Sequence, residues 1–283
     1  MKVNFSSRPV QYTIVGIILI VCLGITVFVT GKELLKLAGS NQDFTTATGG
    51  KCNIAIIPLV GQIFASQADA DAQNASDNSS TVSAEYVLQE IERAQNDRSI
   101  KGVVLRVDSP GGSPVGGSLI ANALKRLNKP SVALIWGQGD SAAYLAATGA
   151  NTIIASPSSD IGDIGVTDSY LDQSGKDIQD GQKFIQIAAG TYKDTGNPDK
   201  PLSSDEQALL QQEVNEVYQN FVQAVAKNRG MSVDAVKDLA DGESFVASTA
   251  TSTGLIDSLG DSETARVWFQ QKLGKWSDPV LCE

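Results

Sequence analysis

Apolar and polar positions change rhythm several times along the chain, and each change marks an element. Residues 12–30, YTIVGIILIVCLGITVFVT, carry no charge. As a helix rising 1.5 Å per residue this run spans about 28 Å, close to the thickness of a bilayer's hydrocarbon core. It therefore predicts a transmembrane helix, with residues 1–11 cytoplasmic and 31–51 a linker to a domain at 52–283. Lys2 and Arg8 flank one end, and Lys32, Glu33 and Lys36 the other, so the positive-inside asymmetry is slight. A cleaved signal peptide is the alternative. Its apolar region would be shorter, roughly 7–15 residues, and the small-residue stretch AGS at 38–40 lies well past the run.

Beyond the linker, CNIAIIPLVGQIF (52–64) is apolar and β-rich, a first strand. Residues 65–85 are small and polar with no periodicity, which predicts a long mobile loop. YVLQEIERAQND then has helical spacing. KGVVLRVDSPGG is a continuous apolar strand ending in a Gly-Gly turn, GGSLIANALKRLN is helical, and PSVALIW is a strand. GDSAAYLAATGA opens as a turn and continues as a short helix with Gly149 as a candidate C-cap, and NTIIASP is the next strand. Short buried strands alternating with helices indicate repeated βαβ units in a layered α/β fold. KFIQIA, within 183–188, reads as a further strand. From 201 the chain becomes a long amphipathic helix. Leu209, Val214, Val217, Tyr218, Phe221, Val222 and Val225 form its stripe, and Ser203 with Glu206 forms a capping box at its start.

Composition narrows the chemistry. The chain has 283 residues and a formal charge of −10, with no Lys/Arg cluster, so a nucleic-acid binder is not indicated. Cys22, Cys52 and Cys282 form no CxxC motif. Cys52 and Cys282 can pair in an oxidising compartment or stand as free thiols. No metal or cofactor motif is present. There is no histidine at all, which excludes Ser–His–Asp and Cys–His sites within this chain.

Ser141 stands where the turn becomes a helix, a place where serine ordinarily only caps. Two Gly-containing turns, DSPGG at 108–112 and GQGD at 137–140, end apolar strands that precede it in sequence. Such turns collect unpaired N–H groups, the equipment that stabilises an oxyanion. Without histidine, a nucleophilic serine needs lysine as its base. An ordinary lysine pKa of about 10.4 leaves roughly one in 2,500 neutral at pH 7, so about three pH units, or ~4 kcal/mol, must come from desolvation. Lys193, in AAGTYKDTGNP (188–198), stands among small and aromatic residues in a turn-rich segment, although spacing alone does not select it.

In order and spacing, KGVVLRVDSPGG, SAAYLAATGANTIIASP, IGDIGV, AGTYKDTGNP and GLIDSLG resemble the short-form signal peptide peptidases. These are membrane-anchored serine proteases of the Clp protease/crotonase superfamily. The resemblance covers about residues 53–260 plus the anchor. It implies a Clp protease/crotonase-like layered fold. It implies Ser141 as nucleophile and Lys193 as base; beside them, the Gly111–Gly112 turn and the Ala142 N–H read as the oxyanion site. It also implies signal-peptide remnants or other membrane-associated peptides as substrates, no cofactor, and a ring-like homo-oligomer with the active site assembled across subunits. Two positions depart from the family pattern: Asp140 precedes the nucleophile, and Asp163 replaces the serine usual in GSIGV. Both also suit a catalytically silent membrane scaffold. An acyl-CoA-handling relative is disfavoured by the anchor and the Ser/Lys pair.

Overall fold

The structure, a computed structural model, describes residues 51–77, 79–274 and 278–282. The expected transmembrane run at 12–30 lies outside the described residues. No helix among the described residues is long and apolar enough to cross a membrane.

In chain order the elements are β1 (Ile54–Val60), β2 (Gln62–Phe64), α1 (Gln67–Asp77), β3 (Thr81–Ser83), α2 (Ala84–Asn96), β4 (Gly102–Ser109), α3 (Pro114–Arg126), β5 (Ser131–Asp140) and α4 (Ala142–Ala147). There follow β6 (Thr152–Ala155), β7 (Asp160–Gly162), α5 (Ser174–Gln179), α6 (Ser204–Arg229), α7 (Val233–Lys237) and β8 (Ser244–Val246). The chain ends with α8 (Ala247–Thr253), β9 (Ser258–Leu259), α9 (Ser262–Leu273) and β10 (Leu281–Cys282).

The main sheet runs β10-β1-β4-β5-β6-β9, all parallel. The far end of β5 leaves β6 and pairs instead with β7, which carries β8 antiparallel. Both faces of the parallel strands are covered, which is why they read as unbroken apolar runs. Val103, Leu105 and Val107 of β4 face the larger core beneath α2, α3 and α4, where Val87, Ile91, Ile120 and Tyr144 are buried. Val104 faces the other way, onto Phe269 and Ala265 of α9. Each such large apolar side chain contributes about 1.5–3 kcal/mol when fully buried. Gly102 makes room for α9, since a Cβ there would lie 2.4 Å from the Phe269 ring.

The mixed α/β architecture with a parallel sheet agrees with the sequence reading, and four local expectations are corrected. Residues 65–85 do not form a bare loop: α1 and β3 lie within them. The alanines of QADADAQNASD favour helix, yet Ala70 is the one buried residue among those of α1 whose burial is described, so there was no apolar stripe to see. KFIQIA forms no strand. It pairs with nothing among the described residues, and Ile187 is 95% exposed. GQGD is not a turn but the end of β5, with Gln138, Gly139 and Asp140 in register with Asp160, Ile161 and Gly162. Thr148, not Gly149, ends α4. The capping box of Ser203 and Glu206 opens α6 as expected.

Cys52 and Cys282 form a disulfide across 230 positions. It fastens β10, an edge strand, to the segment two residues before β1, and both cysteines are buried.

Candidate active site

Ser141 joins β5 to α4 with φ 52° and ψ −125°, a backbone conformation that side-chain-bearing residues rarely adopt. Such a conformation costs about 1–3 kcal/mol and persists only where neighbours over-determine it. Here the Ser141 N–H donates to the Gly162 carbonyl at 2.7 Å, and the Ser141 carbonyl accepts from Leu145 N–H at 3.0 Å. Below it, Tyr144 is fully buried and its hydroxyl donates to the Leu255 carbonyl at 2.8 Å, anchoring α4. The Ser141 hydroxyl makes no capping bond, so the ordinary role for a serine here is absent. The residue is thus held at a sharp strand-to-helix junction.

Gly111 and Gly112 wrap the same spot with φ 100° and 133°. A Cβ on Gly111 would lie 2.7 Å from the Ser141 Cβ and 2.9 Å from the Ala142 nitrogen. A Cβ on Gly112 would lie 2.4 Å from the Ile63 carbonyl oxygen. Only glycine permits this approach and these angles. The loop is fixed by Ile63, whose N–H donates to Gly111 O and whose carbonyl accepts from Ser113 N–H, both at 2.8 Å. The Gly111 N–H is already used, donating to buried Ser109 Oγ at 3.1 Å. The Gly112 and Ala142 N–H groups donate no hydrogen bond among the described residues.

Ser141, Ala142 and Gly112 share a cavity of about 460 Å³, with Pro110, Pro114, Leu145, Asp163, Thr167, Phe221 and Asp241 among its walls. Lys193 does not line it. That residue is exposed, in a turn whose Lys193 N–H donates to Gly190 O at 3.2 Å. The chain leaves the cavity after Thr167 and runs out through a surface arm that exposes Leu171, Ile178, Ile185 and Ile187. Thus the structure gathers Ser141, Gly111, Gly112 and Ala142, and leaves Lys193 outside the cavity within one chain.

Asp140 is 6% exposed and accepts from Ser244 Oγ at 3.0 Å. Burial pushes its carboxyl up to about 6; the Ser244 bond opposes this, and the charges of Asp163 and Asp160 add to it. Asp163 lines the cavity with φ 45°, its N–H donating to Glu243 O at 3.1 Å, and burial raises its carboxyl too. Sequence reasoning did not find Phe221, Asp241 or Gly242 as wall residues. Phe221 was visible as part of a helical stripe, but nothing local to it pointed to Ser141.

The sequence profile of peptidase family S49 matches residues 123–275, and that of Clp protease matches residues 72–163. A protein of Methanocaldococcus jannaschii provisionally named a protease is 32% identical over 94% of this chain and 85% of its own length. A provisionally named signal peptide peptidase of Enterococcus faecium is 34% identical over 63% of this chain and 53% of its own. The chloroplastic serine protease SPPA of Arabidopsis thaliana is 29% identical over 84% of this chain, which spans 35% of that longer protein.

Proposed function

Since the chain belongs to peptidase family S49 and is a serine protease, we propose that Ser141 is its nucleophile and Lys193 its base. The observation that carries this reading is the strained Ser141 junction, facing a cavity beside two unengaged amides, those of Gly112 and Ala142. In the reaction, neutral Lys193 takes the Ser141 proton and Oγ attacks a peptide carbonyl. The oxyanion receives the Gly112 and Ala142 N–H groups, with Gly111 providing the close approach. The amine leaves with the proton, and water then hydrolyses the acyl-enzyme.

Lys193 lies on the exposed arm, so it enters the site from a second copy of the chain. The apolar residues of that arm, Leu171, Ile178, Ile185 and Ile187, support a ring-like homo-oligomer in which arms pack on neighbouring copies. Residues 12–30 would anchor the assembly in the membrane with the protease domain outside the cytoplasm. The Cys52–Cys282 disulfide supports an oxidising compartment for that domain. Substrates are then remnant signal peptides or other membrane-associated peptides.

The test mixes two inactive variants. Ser141→Ala and Lys193→Ala should each abolish turnover of a fluorogenic peptide. Mixed and reassembled, they should regain activity, because some sites then pair an intact serine with an intact lysine. Residual turnover in folded Ser141→Ala would remove the serine from the mechanism. No recovery on mixing would place the lysine within its own chain. If wild type itself cleaves nothing, the reading as a silent membrane scaffold takes over.

A further inference from the structure

The walls of the Ser141 cavity are uneven in charge. Its charged lining residues are Asp163 and Asp241, and no lysine or arginine joins them among the described residues. Asp163 is half-buried, and burial alone accounts for the rise of its carboxyl, with no hydrogen bond or ion pair opposing it. Asp241 Oδ1 accepts from Glu243 N–H at 2.9 Å, an intraloop bond that leaves its other oxygen uncommitted. Gly242 sits between them, so close that a Cβ there would be 3.9 Å from Asp163 Oδ1. Asp140 adds negative charge from behind.

A second cavity of about 270 Å³ continues from the first, sharing Pro114, Leu145 and Phe221. It is lined further by Val115, Leu119 and Val217, and contains no charged residue. Val115 and Leu119 are exposed although apolar. The nucleophile therefore stands in a continuous channel with an acidic wall and an apolar extension.

We propose that this channel selects peptides carrying a cationic side chain, received by Asp163 with Asp241, and an apolar side chain, received between Val115, Leu119 and Val217. This rests on the reading of Ser141 as nucleophile. A half-buried carboxylate with no partner among the described residues gains from an incoming cation, and a cleft of one charge sign concentrates the opposite sign. The cation is an ammonium or guanidinium rather than a metal: no three His, Cys, Asp or Glu side chains are gathered as metal ligands among the described residues. The acidic wall comes from the departure at position 163 and from a loop about 80 residues later. It is thus a property of this chain's own residues.

The experiment uses the full chain and one apolar fluorogenic peptide framework, with Lys, norleucine or Glu placed in turn at each position. At one position kcat/KM for Lys should exceed that for norleucine about tenfold, with Glu lowest, and the preference should shrink as salt rises. Asp163→Asn should bring the Lys-to-norleucine ratio close to one; asparagine tolerates the left-handed backbone, so the loop is kept. Leu119→Glu should lower kcat/KM for peptides with an apolar residue in the neighbouring position. A ratio near one at every position in wild type overturns the proposal. So does a loss in Asp163→Asn that is equal for all peptides, which would place Asp163 on the base or the Ser141 junction instead. Binding of the same peptides to Ser141→Ala, read by fluorescence anisotropy, separates this proposal from the catalytic one. Tighter binding of the Lys peptide, lost with Asp163→Asn, sustains the cationic subsite even if Ser141 proves not to be the nucleophile. Equal binding of all three peptides overturns it.

Discussion

Replacing Asp140 by asparagine should stabilise the protein at neutral pH and leave its stability unchanged near pH 4. Asp140 is buried at the end of β5, and its carboxyl accepts the Ser244 hydroxyl at 3.0 Å. Burial is the main reason its pKa stands at about 6 instead of the ordinary 3.8. A carboxyl whose pKa is raised in the fold keeps a proton that the unfolded chain has already released. Stability therefore falls as pH rises from about 4 to about 6 and is level above that window. At about 1.4 kcal/mol per pH unit the ceiling is about 3 kcal/mol; partial solvation of the carboxylate reduces this to about 1–2 kcal/mol. Asparagine keeps an acceptor for Ser244 and removes the charge. Denaturant unfolding of both proteins at pH 4, 5.5 and 7.5 should show a difference near zero at the lowest pH, growing to about 1–2 kcal/mol in favour of Asp140→Asn. Other titrating groups cancel in that difference. A variant less stable than wild type at pH 7.5, or a difference that does not change with pH, would refute the reasoning.

Three further outcomes follow from particular contacts. Breaking the Cys52–Cys282 bridge with a Cys52→Ala/Cys282→Ala double variant should cost up to about 5 kcal/mol by loop-closure entropy, given the 230-position separation; melting with and without reductant checks it, because reductant should move only wild type. Ser141→Ala should melt within about 2 °C of wild type, since the hydroxyl makes no capping bond whose loss would otherwise cost about 1 kcal/mol. Gly117→Ala should cost about 1–3 kcal/mol and lower activity as well, because its Cβ would lie 2.4 Å from the Ala142 carbonyl oxygen and push α4 away from α3; calorimetry and peptide turnover read the two effects.

What was legible in the sequence is what local pattern controls. Continuous apolar runs gave the parallel strands, because both sheet faces are covered, and the spacing of Val87, Ile91 and Ala94 gave α2 its buried face. α1 escaped because its composition, not an amphipathic stripe, makes it helical. KFIQIA misled because alternation shows that a segment could pair, while pairing itself requires a neighbour that the fold does not bring. The GQGD turn was misread for the opposite reason: Gly139 is there for close packing, as a Cβ would lie 2.6 Å from the Ile135 side chain. The disulfide joins positions whose nearness depends on β10 completing the sheet beside β1, which no local spacing reveals.

The site divides along the same line. Ser141, Ala142, Gly111 and Gly112 sit on two adjacent strand ends, β4 and β5, whose register brings Ser109 opposite Gly139. That register, seen only in the structure, puts the Gly-Gly turn over the serine; the sequence showed the two segments, and the resemblance implied that they work together. Asp163, Asp241 and Phe221 arrive by a different route: β7 takes over the end of β5, β8 pairs back on β7, and Phe221 of α6 joins Leu145 of α4 in the cavity wall. Lys193 belongs to neither group. Its arm leaves the cavity at Thr167 and exposes apolar side chains that nothing among the described residues covers. Under the mechanism proposed above, proton transfer is tied to assembly: an isolated chain would carry Ser141, the amides and the acidic wall, yet would stay inert until a neighbour's arm supplied Lys193.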